Sequence, residues 1–429
     1  MKTAGIIAEF NPFHNGHAHL IRQAKERLGA DRIVVVMSGA FTQRGEISVM
    51  YKYDRVKSAL LCGADAVFEL PVSYSTATAE VFAFGGVSIL DALGCTDCLV
   101  FGAESEDTGR MESLADILLA PTPDYLDKLE EGLKEGLSYP AARSRALPGY
   151  SDLLSSPNNI LAIEYIKAIK RIGSDISPIA IPRTGKGYHD TELSEYASAE
   201  AIRSVLKADS ADERYTKADS ADAGTGKAAA FPDAIRGCVP DVVFDIMSTI
   251  YKKTFPISQD DLSAIAEYVL LTRSSEELAG YQDMNPDLAN RFINTAAGIR
   301  SSEKPFSLSG FIGQMRTKEL TYTRISRAML HCILALKDMT RDSEGCLIPC
   351  PYTRLLGFKS EASELMHTIA AHASIPIVNK AADAPSVLTS DALPLFDATI
   401  RSDRLADMII SQKYGTRVTD GCRISPVII

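Results

Sequence analysis

The chain contains no run of 18 or more apolar residues, so no transmembrane helix is expected. The N-terminal segment Met1 to Phe10 lacks the long apolar stretch and small-residue cleavage site of a secretory signal, and a cytoplasmic location is expected. A basic excess is also missing: 45 Lys and Arg stand against 55 Asp and Glu, a net charge of -10. That balance argues against non-specific nucleic-acid binding, so an RNA partner has to be met by a local basic patch. Cysteines are few and scattered along the chain, and in the cytoplasm they are expected to be reduced. Cys95/Cys98 and Cys346/Cys350 have spacings a zinc site could use. Cys98, however, opens an apolar strand and the second pair flanks a turn, so both pairs read as structural and no metal ligands are assigned. Three nucleotide or hydrolase signatures are absent as well. Gly224-Thr225-Gly226-Lys227 lacks the upstream glycine of a P-loop and follows no strand. No GxGxxG follows the first strand, and there is no serine nucleophile elbow.

What is present is an ordinary globular composition, with 46% hydrophobic and 23% charged residues over 429 positions, enough for two or three domains. Apolar strand candidates are Gly5 to Phe10, Ile33 to Met37, Ala66 to Leu70, Leu99 to Phe101 and Pro178 to Ile181. Helical patterns such as His17 to Leu28 and Tyr51 to Cys62 lie between the early ones. This rhythm predicts an α/β, Rossmann-like parallel sheet covered on both faces. Another helix starts at Ser156-Pro157, where Ser156 can cap and Pro157 needs no donor. Residues 207–230 are rich in Ala, Asp, Ser and Gly and carry the hexapeptide KADSAD twice; they read as a flexible connection or an expanded surface loop. The chain therefore divides into 1–206, the α/β sheet domain; 207–230, the connection; and 231–429, a mainly helical region. The last sixty residues form a small mixed α/β end, either a third unit or a segment packed back on the helices.

The chemistry concentrates where Gly5 to Phe10 runs into Asn11-Pro12-Phe13-His14-Asn15-Gly16-His17 and a helix follows. A helix N-terminus presents unpaired amide donors and a partial positive charge to an anion. His14 and His17 are three apart, so both imidazoles can face one side of the first turn and donate to phosphate oxygens. Gly16 lets a flat base or a phosphate approach the backbone. The loop lies beyond the carboxyl end of a strand, where parallel sheets bind ligands. His19 points elsewhere on the helix and reads as structural.

Gly5 to His17 resembles the HxGH nucleotidyltransferase superfamily. Further segments follow in order: EFNPFHNGH (Glu9 to His17), VMSGAFTQRGE (Val36 to Glu46), FELP (Phe68 to Pro71), VFGAE (Val100 to Glu104), SPNNILAIEY (Ser156 to Tyr165) and PRTGKGYHD (Pro182 to Asp190). TYTRISRAMLHCIL (Thr321 to Leu334) and YTRLLGF (Tyr352 to Phe358) extend the match. Together they resemble the bacterial tRNA(Met) cytidine acetate ligase family over nearly the whole chain, apart from the KADSAD region. The resemblance implies an enzyme that activates acetate with ATP as acetyl-adenylate and acetylates N4 of the wobble cytidine of elongator tRNA(Met). It implies an ATP site formed by Ile7, Ala8, Glu9, Phe10, Asn11, Pro12, Phe13, His14, Asn15, Gly16, His17, Ala18, His19 and Leu20, with Gly102, Asn158 and Arg183. His14 and His17 are the catalytic pair. Mg²⁺ is expected to bridge the triphosphate.

Asn158 reads alternatively as a cap and Arg183 as a surface ion pair. In Ala197-Ser198-Ala199-Glu200-Ala201-Ile202-Arg203, Glu200 stands where such enzymes often carry a hydroxyl residue, and its charge would oppose a phosphate if it pointed inward. Recognition of tRNA is expected from the helical half, where Arg316, Lys318, Arg324 and Arg327 surround Tyr322, and from Arg354. The HxGH site alone leaves open an adenylyl- or cytidylyltransferase acting on a small metabolite. The net charge leaves open a non-enzymatic protein that binds nucleotide or RNA.

Overall fold

The computed structural model describes residues 1–183, 193–216, 231–300 and 305–429. Eight strands form one sheet: β1 (Thr3–Ala8), β2 (Arg32–Ser38), β3 (Ala66–Leu70), β4 (Cys98–Ala103), β5 (Ser177–Pro182), β6 (Thr353–Phe358), β7 (Ile377–Val378) and β8 (Val427–Ile428). Their order is β5-β4-β1-β2-β3-β6-β7, with β8 paired to β6. The first five run parallel, and β6 joins antiparallel to β3. After β3 the chain crosses to the far side of β1 and lays down β4. The boundary between β1 and β4 is thus the switch point of the sheet, where carboxyl-end loops diverge and leave a crevice.

Both faces of the central strands are apolar and both are covered. Helices Ala79–Ala92 and Pro157–Ile172 bury one face against Val34, Val36, Phe68, Leu99 and Phe101. Helices Asn15–Glu26, Lys52–Leu61 and Asp241–Ile250 bury the other against Ile6, Ile33, Val35 and Val67. A third core fills the helical region, from Ile257 to Leu336 together with helix Leu393–Tyr414, and it includes Ala40, Phe41 and Ile47 from the loop after β2. Among the described residues no helix is long and apolar enough to cross a membrane.

Three sequence expectations change. First, the last sixty residues are not a separate unit: helix Leu393–Tyr414 packs in the helical core, as one of the two alternatives expected, and β7 and β8 reach the N-terminal sheet through β6. β6, β7 and β8 complete the N-terminal sheet, so the 231–429 division is crossed by the sheet itself. Second, helix Ala199–Thr216 runs past residue 206, so the 207–230 segment begins as helix; 217–230 lie outside the described residues. Third, Arg354 does not reach a surface. It is 2% exposed, on β6, and its Nη1 lies 3.9 Å from Glu69 and 3.8 Å from Asp403, with Nη2 donating to the Tyr53 hydroxyl at 2.9 Å. Lys52 joins the same buried group, 2.6 Å from Glu69 and paired with Asp403. An arginine in YTRLLGF reads as an RNA contact by composition, but here it pairs with carboxylates from β3 and from helix Leu393–Tyr414 inside the protein.

The loop after β2 meets the helical half at Gly45. It has φ +78, and a Cβ there would lie 2.6 Å from the Cα of Arg327. Its carbonyl accepts the Ser326 hydroxyl at 2.9 Å, which pins the loop after β2 to helix Tyr322–Leu334. Alanine at this position meets both a left-handed backbone and a backbone clash, a combined cost of about 2 kcal/mol or more. Gly45→Ala is therefore expected to lower the thermal unfolding midpoint by several degrees. A midpoint equal to that of the unsubstituted chain would refute this account of the docking.

Candidate active site at the sheet switch point

The strand that leads into the motif ends at Ala8, two residues earlier than its apolar run suggests. Phe10 takes φ +48, a left-handed conformation uncommon for a bulky residue, and turns the chain off the sheet. Several groups hold this turn. Arg55, fully buried on helix Lys52–Leu61, donates to the Glu9 carbonyl at 2.6 Å, to the Ser38 carbonyl at 3.1 Å and to the Gly39 carbonyl. It thereby ties the carboxyl ends of β1 and β2 together, and burial lowers its own pKa to about 10. The Asn11 side chain accepts the Val49 amide at 2.7 Å, and the Asn11 carbonyl accepts Arg203 Nη1 at 2.7 Å. Glu9 accepts the Gln43 amide at 2.8 Å; burial raises its pKa, and that bond opposes the rise.

His14 is the N-cap of helix Asn15–Glu26. Its Nδ1 accepts the Gly16 amide at 3.0 Å, while the Nδ1 of His17 accepts the His14 amide at 3.2 Å. The two rings stack with centroids 3.8 Å apart and planes 26° from parallel. With both Nδ1 atoms accepting, each neutral ring carries its proton on Nε2, and among the described residues neither Nε2 has a partner. Burial lowers the His14 pKa to about 3, aided by the nearby Arg183 and Arg203 charges. Burial also holds His17 well below the ordinary imidazole range, with His14 and Arg183 adding to the effect. The site therefore offers two neutral N–H donors side by side at a helix N-terminus, a pattern suited to an anion.

Gly16 serves differently from its sequence reading. A Cβ there would lie 2.8 Å from His14 Cε1, so the space goes to the capping ring rather than to a ligand.

The other expected residues divide into lining and support. Gly102 lies near the end of β4, and a Cβ there would touch Arg183 Cγ at 3.4 Å. Arg183 is exposed at the end of β5 and makes no ion pair among the described residues. Asn158 Nδ2 donates to Glu104 at 2.6 Å, so it does not cap its helix. Ser156 does not cap it either, because its hydroxyl donates to the other Glu104 oxygen. His14 and His17 thus stand beyond the carboxyl end of β1, Gly102 near the end of the adjacent β4, and Arg183 at the end of β5 on its far side, with Asn158 tied to Glu104 just past β4.

Ile7, Ala8, Phe10, Pro12 and Phe13 are buried beneath the loop as its support. Ala18 and Leu20 pack against the core. Asn15 donates to the carbonyls of Glu195 and Gly237, and His19 turns away to Arg22 and Tyr196. Glu200 pairs with Arg44 at 3.7 Å, and Ser198 Oγ accepts the Ala201 amide. Arg327, expected at an RNA surface, is 8% exposed and paired with Asp283 at 2.8 Å. Arg316, Lys318 and Arg324 are exposed. Sequence reading missed Arg55 and Glu104. A charge on the buried stripe of an amphipathic helix was the signal for Arg55; Glu104 was visible only as the last letter of VFGAE.

The HIGH Nucleotidyl Transferase family model matches residues 1–420. The chain belongs to the HIGH nucleotidyl transferase family. Within that family it is 33% identical over 392 residues to the tRNA(Met) cytidine acetate ligase of Acetivibrio thermocellus, covering 89% of each chain. It is 37% identical over 374 residues to that of Caldicellulosiruptor saccharolyticus, covering 86% of this chain and 85% of the other. Among solved structures, Thermotoga maritima TmcAL bound with alpha-thio ATP matches with a TM-score of 0.83 at 27% identity, over 100% of both chains. The apo form of that enzyme matches with a TM-score of 0.85 at 28% identity, again over 100% of both chains. The chain is thus a HIGH nucleotidyl transferase of the tRNA(Met) cytidine acetate ligase group.

Because the unfolded chain binds protons near pH 6.5 and the folded pair does not, the ligand-free fold loses stability as pH falls from 6.5 toward about 3. In a ring-proton NMR titration of the ligand-free protein, neither His14 nor His17 is expected to titrate between about pH 5 and 8. A midpoint near 6.5 for either ring would contradict the neutral pair.

Proposed function

We propose that this HIGH nucleotidyl transferase is an ATP-dependent tRNA(Met) cytidine acetate ligase. It activates acetate as acetyl-adenylate and then acetylates N4 of the wobble cytidine of elongator tRNA(Met). The observation that carries this reading is the pair of unpartnered Nε2–H donors in the loop after β1, within a chain related along most of its length to enzymes of that name.

Acetate is a poor acyl donor because the group leaving would be oxide. An acetate oxygen attacks the α-phosphorus of ATP, the bond to the bridging oxygen breaks, and pyrophosphate leaves. His14 and His17 donate to the phosphate oxygens as charge builds there, and Arg183 adds a fixed positive charge beside them. Neutral donors suit this role, since they can bind the triphosphate without taking up a proton first. The exocyclic amine of the cytidine then attacks the acetyl carbonyl, AMP leaves, and the nitrogen loses a proton. A single-stranded anticodon base can be splayed out to reach such a site.

No group of three His, Cys, Asp or Glu able to hold a metal occurs among the described residues. A magnesium ion here would be held by the triphosphate and water.

For tRNA, the candidates are Arg316, Lys318 and Arg324, exposed around the start of helix Tyr322–Leu334 in an otherwise acidic protein. That polarity suits a local phosphate contact rather than a broad basic face. Such an enzyme works on tRNA in the cytoplasm.

Pyrophosphate release from ATP is expected to require acetate. Release that ignores acetate and follows another carboxylate or a phosphate ester would overturn the acetate assignment. His14→Ala and His17→Ala are each expected to slow adenylate formation by about 100-fold or more, with tRNA affinity unchanged; an equal loss of both would contradict these roles. The double charge reversal Lys318→Glu/Arg324→Glu is expected to weaken tRNA binding and flatten its salt dependence while leaving adenylate formation intact. Unchanged tRNA affinity would remove this surface from the account.

A further inference from the structure

Just past the end of β4, two residues beyond Gly102, both oxygens of one carboxylate are engaged within the protein. One oxygen of Glu104 accepts Nδ2 of Asn158 at 2.6 Å, and the other accepts the hydroxyl of Ser156. The backbone of this corner is fixed independently. Asn159, 3% exposed, accepts the amides of Glu104 and Ser105 through its Oδ1, at 2.9 and 3.2 Å. A carboxylate only accepts hydrogen bonds, so the Asn158 amide has one permitted orientation: nitrogen toward Glu104, oxygen away from it. Among the described residues nothing donates to that oxygen, and Asn158 is only partly buried.

We infer that Glu104 is a positioning residue that sets the polarity of Asn158, so that the site presents a hydrogen-bond acceptor to the nucleoside half of ATP. The inference rests on the ATP reading given above. A triphosphate has no donor to offer an amide oxygen, and the charge of Glu104 repels it. The phosphates belong with His14, His17 and Arg183, whereas the groups of ATP that can donate are its exocyclic amine and its ribose hydroxyls. Neither source of that donor is favoured by Asn158 alone, and the two are separable by analogue. The arrangement makes Asn158 a specificity group, and a residue that touches no ligand decides which way it faces. Had Glu104 been a lysine or an arginine, the amide would turn over and ask for an acceptor instead.

The test is equilibrium binding of ATP, inosine triphosphate, 2′-deoxy-ATP and 3′-deoxy-ATP to the full chain and to Glu104→Ala, Glu104→Gln and Asn158→Ala. The unsubstituted chain is expected to bind one of the analogues about tenfold more weakly than ATP, the loss of one hydrogen bond. Loss with inosine triphosphate identifies the amine, and loss with a deoxy analogue identifies that hydroxyl. Glu104→Ala should weaken ATP to a similar extent and erase the discrimination, as should Asn158→Ala. Glu104→Gln, whose carbonyl can still accept from Asn158, should keep most of it. In turnover, Glu104→Ala should raise the KM for ATP with little change in kcat. If the unsubstituted chain binds all four nucleotides alike, or if Glu104→Ala keeps both affinity and discrimination, the inference is wrong while the ATP site stands. If the unsubstituted chain binds no ATP, the functional reading itself has failed.

Discussion

The site depends on two hydrogen bonds between a pair of histidines and their own backbone. His14 accepts the Gly16 amide, and His17 accepts the His14 amide, each through Nδ1. Those bonds cap the helix, fix the tautomer of both rings and leave two Nε2–H groups free beside the helix N-terminus. The same geometry requires the rings to be neutral, because a protonated Nδ1 could not accept. Burial and the nearby arginines push in the same direction. The contacts that cap the helix therefore also decide that Nε2–H, and not Nδ1–H, is left free on each ring.

Everything around the pair keeps it in register. Arg55 clamps the carboxyl ends of β1 and β2 from below, and Asn11 ties the loop to Val49 and to Arg203. The crossing from β3 to β4 places the loop at the switch point of the sheet. The helical half is not a detachable appendage, since β6 extends the same sheet and Gly45 is pressed against helix Tyr322–Leu334. The net charge of -10 does not reach this region uniformly. Arg183 and Arg203 lie close enough to depress the His14 pKa, so positive charge stands near the pair within an acidic protein.

Much of this was legible in the residues. The apolar runs of β1 to β5 located the parallel sheet because strands covered on both faces must be apolar on both. The HxGH spacing placed both rings on one side of a turn because a helix repeats every 3.6 residues. What could not be read was long-range pairing. Nothing local in YTRLLGF says that its strand will run antiparallel to β3 or that Arg354 will meet Glu69 and Asp403. Arg327 misled for the same reason, since a basic residue looks solvent-facing until its buried carboxylate partner is known. Gly16 was read as room for a ligand; the fold fills that room with an imidazole from two residues away. Ser156 and Asn158 resembled caps because their residue types favour caps, yet the Glu104 carboxylate draws both side chains to itself.

The most direct measurement of the central claim is a crystal structure of this chain with a non-hydrolysable ATP analogue. The account predicts both Nε2 atoms within hydrogen-bond distance of phosphate oxygens while both Nδ1 atoms still accept their backbone amides. Phosphates bound elsewhere, or rings that release those amides to reach the nucleotide, would contradict it.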